Sequence, residues 1–194
     1  MNLIERVKNI LTTPKTEWEV INNESATVGS LLTSYVIPLS LLAGIGTLLK
    51  YLFFSSVLGV GYAIAYAIFM VISVTITFVV STYIIDALAP SFSSEKDLNK
   101  SAQLVAYSGT ASWIAALLSF IPFLGWLITL AGAVYGIYLF YLGLGPLKKT
   151  PEDKKIVYIV IYFVVWMVIY FVFVSLIAGV VLGAIFATST VMGH

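Results

Sequence analysis

The pattern of apolar and polar positions divides the chain into a short polar beginning and a long apolar body broken by two charged islands. In residues 1–24, Leu3, Ile4, Val7, Ile10 and Leu11 recur at helical spacing opposite Glu5, Arg6, Lys8 and Asn9. This predicts an amphipathic helix, suited to the bilayer interface or to the rim of a bundle. Thr13 as N-cap and Pro14 at the first helical position then start a second short helix carrying Trp18 and Ile21, with the indole expected at headgroup depth. A charged amphipathic start with no A-x-A-like cleavage site after the first long apolar run predicts an uncleaved N-terminus.

The apolar body yields five spans. Ser25 to Leu49 carries no charge and gives a first span at about 28–49, with Pro38 expected to bend it. Lys50 marks the far interface, a second span runs about 62–85, and Asp86 stops it. After the island Ser94 to Lys100, the run Ser101 to Leu147 is again free of charge. As one helix it would reach roughly 70 Å, more than twice the ~30 Å hydrocarbon core, so it must cross twice, at about 101–121 and 124–146. Ile121-Pro122-Phe123-Leu124-Gly125-Trp126 supplies the turn. The second island, Lys148 to Lys155, leads into a fifth span at about 156–187, longer than one crossing needs. Ser94-Glu95-Lys96-Asp97 and Thr150-Pro151-Glu152-Asp153 read as helix starts, with caps and acids suited to the positive end of the dipole. The predicted fold is therefore all-α, a polytopic integral membrane bundle of five transmembrane helices over 25–194, preceded by a cytoplasmic amphipathic segment over 1–24.

Charge fixes the orientation. In this arrangement Arg6, Lys8, Lys15, Lys96, Lys100, Lys148, Lys149, Lys154 and Lys155 fall on one side and Lys50 alone on the other. Basic residues favour the cytoplasmic side, so the N-terminus is expected in the cytoplasm and the C-terminus outside the cell membrane.

Composition narrows the class further. With 60% hydrophobic and 10% charged residues and a mean hydropathy of +1.03, a water-soluble domain is excluded. The apolar runs are continuous rather than alternating in segments of roughly ten residues, which argues against an outer-membrane barrel. A net charge of +1 gives no reason to expect nucleic acid, and the absence of cysteine removes disulfides and thiol chemistry.

Few groups remain for chemistry. The five predicted spans contain no ionisable side chain of the kind that marks a pump or transporter path. Asp86 reads as an interface stop reaching water and Lys96 or Lys100, and Lys50 as a snorkelling anchor. His194 is the only histidine, so neither a zinc cluster nor a Ser-His-Asp arrangement is expected, and no cofactor is implied. The spacings Gly132–Gly136 and Gly179–Gly183 let helix backbones approach, for packing within the monomer or, alternatively, for a homodimer. Ser101, Ser108, Thr110, Ser112 and Ser119 make the third span the most hydroxyl-rich, read as interhelical hydrogen bonding with a polar pore as the alternative.

Several short stretches carry a resemblance: Ser91-Phe92-Ser93, Leu104-Val105-Ala106-Tyr107-Ser108, Ile121-Pro122, Tyr135-Gly136-Ile137-Tyr138-Leu139 and Leu142-Gly143-Leu144. Together they resemble the Yip1 family of five-span membrane proteins in its prokaryotic branch, and the stretch Pro14 to Ile21 resembles the segment preceding the first span there. The resemblance implies five helices, a cytoplasmic N-terminus and, in eukaryotic members, binding of Rab GTPases with roles in vesicle trafficking or membrane shaping. The Asp-Leu-Tyr-Gly-Pro motif of those members is absent here, and Ala89-Pro90 stands where glycines are usual.

The expectation is a non-enzymatic membrane organiser or partner-recruiting scaffold, with a small-solute transporter or channel as the alternative. Its partners would be the lipid bilayer and a cytoplasmic protein. The residues expected to meet them are Arg6, Lys8, Trp18, Asp86, Lys96, Lys100, Lys148, Lys149, Lys154 and Lys155, through electrostatic contact and interfacial insertion.

Overall fold

The structure is a computed structural model that describes residues 2–54, 59–169, 171 and 172. Those residues form an all-α, membrane-spanning bundle. Helices α1 (Leu3–Thr12) and α2 (Pro14–Asn22) make a short hairpin at the N-terminus. Asn2 caps α1 by accepting from the Glu5 amide at 2.8 Å. Thr13 occupies the N-cap position of α2 but spends its hydroxyl on the Asn9 carbonyl instead.

A continuous helical stretch follows. Thr27 and Ser30 form a capping box at the start of α3 (Val28–Leu31), a π turn spans Leu32–Val36, and α4 runs Ile37–Phe54. The π turn sits just ahead of Pro38, whose ring lacks an N–H and crowds the carbonyl four residues back, so an expanded turn accommodates it. Helix α5 (Gly59–Leu88) is the longest, and a 3-10 turn over Ala89–Phe92 closes it. Next come α6 (Leu98–Leu117) and α7 (Gly125–Lys148). A last helix, α8, is described over 152–169.

Among the described residues, three helices are long and apolar enough to cross a membrane: Val28–Phe53, Val60–Phe92 and Gly125–Lys148. Helix α6 falls short of them because it is polar for a membrane helix, and its position explains why. Eleven of its twenty residues are buried, and it packs against α1, α3, α4, α5 and α7. A helix enclosed by protein needs no lipid-facing apolar side, and its hydroxyls find partners across the interface. Half of the stretch predicted as a fifth span, together with Gly179 and Gly183, lies outside the described residues.

The turn between α6 and α7 uses the predicted residues. Ile121 donates to the Leu118 carbonyl and Gly125 to the Ile121 carbonyl. Gly125 cannot be replaced without moving the chain, because a Cβ there would lie 2.1 Å from the Ser119 carbonyl oxygen. Gly132 does similar service midway along α7, where a Cβ would lie 2.4 Å from that of Ala115. The Gly132–Gly136 spacing thus faces α6 of the same chain.

Candidate functional site

The polar residues gather at one end of the bundle, the cytoplasmic end of the sequence reading, and sort into a buried lock and an exposed rim. The lock centres on Lys148. Its side chain is fully buried, and its Nζ donates to Ser101 Oγ at 2.7 Å, to the Asp97 carbonyl at 3.1 Å and to Asp86 Oδ1 at 3.3 Å. Asp86 lies at the end of α5, Asp97 and Ser101 at the start of α6, and Lys148 itself at the end of α7. One ammonium therefore ties three helices together. Asp86 was expected to reach water with Lys96 or Lys100; instead it is buried against Lys148, because α7 ends directly across from α5.

Around this point the two charged islands are stitched to each other. The Glu95 amide donates to the Lys148 carbonyl at 2.7 Å, and Ser94 and Thr150 share a hydroxyl hydrogen bond of 2.8 Å. Lys149 meets Glu95 at 2.6 Å on the surface, and Lys154 donates to Ser93 Oγ at 2.6 Å. Asp97, not Ser94, caps α6, accepting from the Asn99 and Lys100 amides. Lys155 is buried, pairs with Glu152 at 2.6 Å and lies 5.1 Å from the Tyr141 ring centroid. Those contacts, the Lys155 hydrogen bond first and the Tyr141 hydroxyl second, hold the Glu152 carboxyl below its ordinary range.

The N-terminal hairpin is locked on by a second cluster. Arg6 is buried, pairs with Glu17 and Glu24, and sits 5.2 Å from the Tyr107 ring centroid. Burial opposes its charge, but the Glu24 hydrogen bond and neighbouring charges hold its pKa above the ordinary arginine value. Arg6 was assigned to the solvent face of α1. Its place three residues after Leu3 and four before Ile10 puts it at the edge of the apolar stripe, and that spacing was the signal for a buried ion pair.

Trp18 is fully buried within the protein rather than exposed at its surface. Its ring fills the space over Gly143 and beside Leu104, where no larger residue than glycine fits, and meets Tyr107 edge-on at 6.3 Å. The end of α2 is held by Lys100, which donates to the Asn22 carbonyl at 2.5 Å, and by Gln103, which donates to the Glu24 carbonyl at 3.1 Å. Burial lowers the Lys100 pKa, with Asp97 and Glu24 opposing. Sequence reasoning missed Glu17, Glu24 and Gln103, which bond residues 11, 18 and 79 positions away in the chain, whereas Ser101, read as an interhelical hydrogen-bonding hydroxyl, meets Lys148 on α7.

The exposed rim is what remains. Lys8, Lys96 and Lys149 present their side chains to the surroundings, while Lys100 and Lys154 are half-buried. Of the ten residues predicted to meet a partner, Arg6, Trp18, Asp86, Lys148 and Lys155 are instead interior. Among the described residues, no group of three or more His, Cys, Asp or Glu could hold a metal ion.

A separate cavity of about 400 Å³ lies between α5, α6, α7 and α8. Its wall is apolar apart from hydroxyls that include Ser73, Thr77, Ser108 and Ser112, and the buried Ser108 Oγ has no hydrogen-bond partner. Thr110, grouped with these by sequence, is taken by the Tyr35 hydroxyl at 2.7 Å.

No curated protein and no solved structure matches this chain. A family model, the Yip1 domain, matches residues 8–176, from the first turns of the N-terminal hairpin through every helix described above. With an all-α membrane bundle, an attached N-terminal hairpin and a match over most of its length, the chain belongs to the Yip1 domain family.

Proposed function

We propose that this protein is a non-enzymatic, five-span organiser of the cell membrane, with its N-terminus in the cytoplasm and its C-terminus outside. Its working surface is the exposed cytoplasmic rim, where it meets lipid headgroups or a recruited protein. The carrying observation is the division of labour among the charged residues. Arg6, Asp86, Lys148 and Lys155 are interior and hold α1, α5, α6, α7 and α8 in register, while Lys8, Lys96 and Lys149 stand outward with Glu5 and Glu95 nearby in the sequence. A rigid frame with a mixed-sign surface suits recognition of a partner better than capture of anionic lipid alone.

Photoreactive residues at Lys8, Lys96 and Lys154 in native membranes test this. A specific protein or lipid class trapped at these positions supports the reading, and capture no different from that at Lys50 contradicts it.

The cavity favours a second reading, a small-solute transporter or channel. Its hydroxyls and the unpartnered Ser108 Oγ would suit a small neutral solute. Saturable flux in proteoliposomes, abolished by Ser108→Val or Ser112→Val, would replace the first reading with this one.

A further inference from the structure

The N-terminal hairpin stands at a height that does not match its surface. The Tyr135 hydroxyl donates to the Leu11 carbonyl at 2.8 Å. Tyr135 lies roughly 20 Å along α7 from Lys148, at about 1.5 Å per residue. The tip of the hairpin is therefore level with the middle of α7, yet Thr12, Thr13, Lys15 and Thr16 at that tip are exposed, as is Lys8 below it.

The α8 flank sets the contrast. There the Tyr158 hydroxyl bonds the Ile85 carbonyl, one residue from Asp86, so the start of α8 is level with the buried lock. Ile156 and Val157 at this level are 66% and 53% exposed. Hydrocarbon reaching down to the lock on the α8 flank would cover them, whereas Lys8 and Lys15 stand far above it on the α1–α2 flank.

Tilting the bundle does not reconcile the two. Above the hairpin tip, α7 offers only the stretch from Tyr135 back to Gly125, about 15 Å, against a hydrocarbon core of ~30 Å. The apolar height of that flank is short wherever the bilayer is placed. Charged groups facing acyl chains there would be costly, and Lys15 is too deep for its stem alone to regain the surface.

We infer that the α1–α2 hairpin holds a polar notch in the cytoplasmic leaflet, filled by phospholipid headgroups and water drawn inward, so that the membrane is thinned along α7. Basic Lys8 and Lys15 suit the phosphates, and Glu5 and Glu19, exposed on the same hairpin, keep the surface near neutral. That balance fits zwitterionic headgroups, with phosphate and ammonium both answered. The notch is permanent because the hairpin is docked by Arg6, Ile10 and Trp18, all buried. It rests on the orientation proposed above and gives the membrane organiser a physical means.

The chain contains no cysteine, so single spin labels can be placed cleanly at Lys15→Cys and Thr12→Cys, with Val160→Cys on the far flank and Lys96→Cys on the rim. Collision with a water-soluble nickel chelate is compared with collision with oxygen in phosphatidylcholine vesicles. The expected result is nickel-dominated accessibility at positions 15 and 12, close to that at 96, and oxygen-dominated accessibility at 160. Oxygen dominance at 15 and 12 would place acyl chains there and overturn the notch. Shielding from both reagents would mean that a second copy or another protein covers the hairpin, and would overturn it too. A wrong orientation shows itself separately, as Lys50→Cys reacting with an impermeant thiol reagent from the same side as Lys96→Cys; a failed notch leaves that reaction pattern intact.

Discussion

The ammonium of Lys148 lies 3.3 Å from the carboxylate of Asp86, 62 residues earlier in the chain, and neither group is exposed enough for water to replace the other. This pair joins the ends of α5 and α7 at one edge of the bundle. A buried charge that loses its partner is left with a desolvation cost and little in return.

Asp86→Ala should therefore cost about 3 to 5 kcal/mol, since Lys148 would keep only Ser101 and a backbone carbonyl. Replacing both partners, as in Asp86→Leu with Lys148→Met, should recover most of that loss. Denaturant or thermal unfolding in detergent, run as a double-mutant cycle, checks both.

Trp18 should behave as a core residue. Trp18→Ala empties the space over Gly143 and beside Leu104, and losing a buried aromatic side chain costs about 3 to 5 kcal/mol. The loss falls on the docking of the hairpin, so limited proteolysis should cut within residues 1–24 of the variant while sparing the bundle.

Gly132 and Gly136, both on α7, should differ. Gly132→Val pushes against Ala115 and the Ala111 carbonyl, where even a Cβ would lie at 2.4 and 2.8 Å, and such overpacking costs about 1 to 3 kcal/mol. At Gly136 a Cβ would lie 3.2 Å from the Ser108 carbonyl oxygen and 3.3 Å from Ser112 Oγ, so Gly136→Ala demands a shift of only a few tenths of an ångström and should cost less than Gly132→Val. Unfolding midpoints of the two variants provide the comparison.

Glu152 predicts a pH dependence. Its hydrogen bonds to Lys155 and Tyr141 lower its pKa in the folded protein below the ordinary 4.5. A depressed carboxylate stabilises the fold above its unfolded pKa, and that contribution disappears as pH falls through the folded one. Glu152→Gln should thus lower the melting temperature slightly at neutral pH, with the difference from the native protein shrinking below pH 4.5.

Much of the fold was legible because bilayer thickness and helix rise leave few ways to divide a charge-free run. The α6–α7 turn at Pro122 and Gly125 and the helix starting at Pro14 follow from such local rules. The site was less legible, since a charged residue reads as solvent-facing until its partner is known. Arg6, Asp86, Lys148 and Lys155 find theirs, and their burial comes from tertiary contacts that no local window contains. Trp18 misled for a related reason: an indole near a predicted interface suits a belt, and only the gap left by Gly143 on another helix shows that it has a socket.

In the proposed orientation the rim around Lys96 and the far end of α4 lie on opposite sides of the membrane, and labelling of single cysteines distinguishes this from any other arrangement. With an impermeant thiol reagent applied to oriented membranes, Lys96→Cys and Lys149→Cys should react only from the cytoplasmic side and Lys50→Cys only from the outer side. Reaction of Lys50→Cys from the cytoplasmic side would contradict the account.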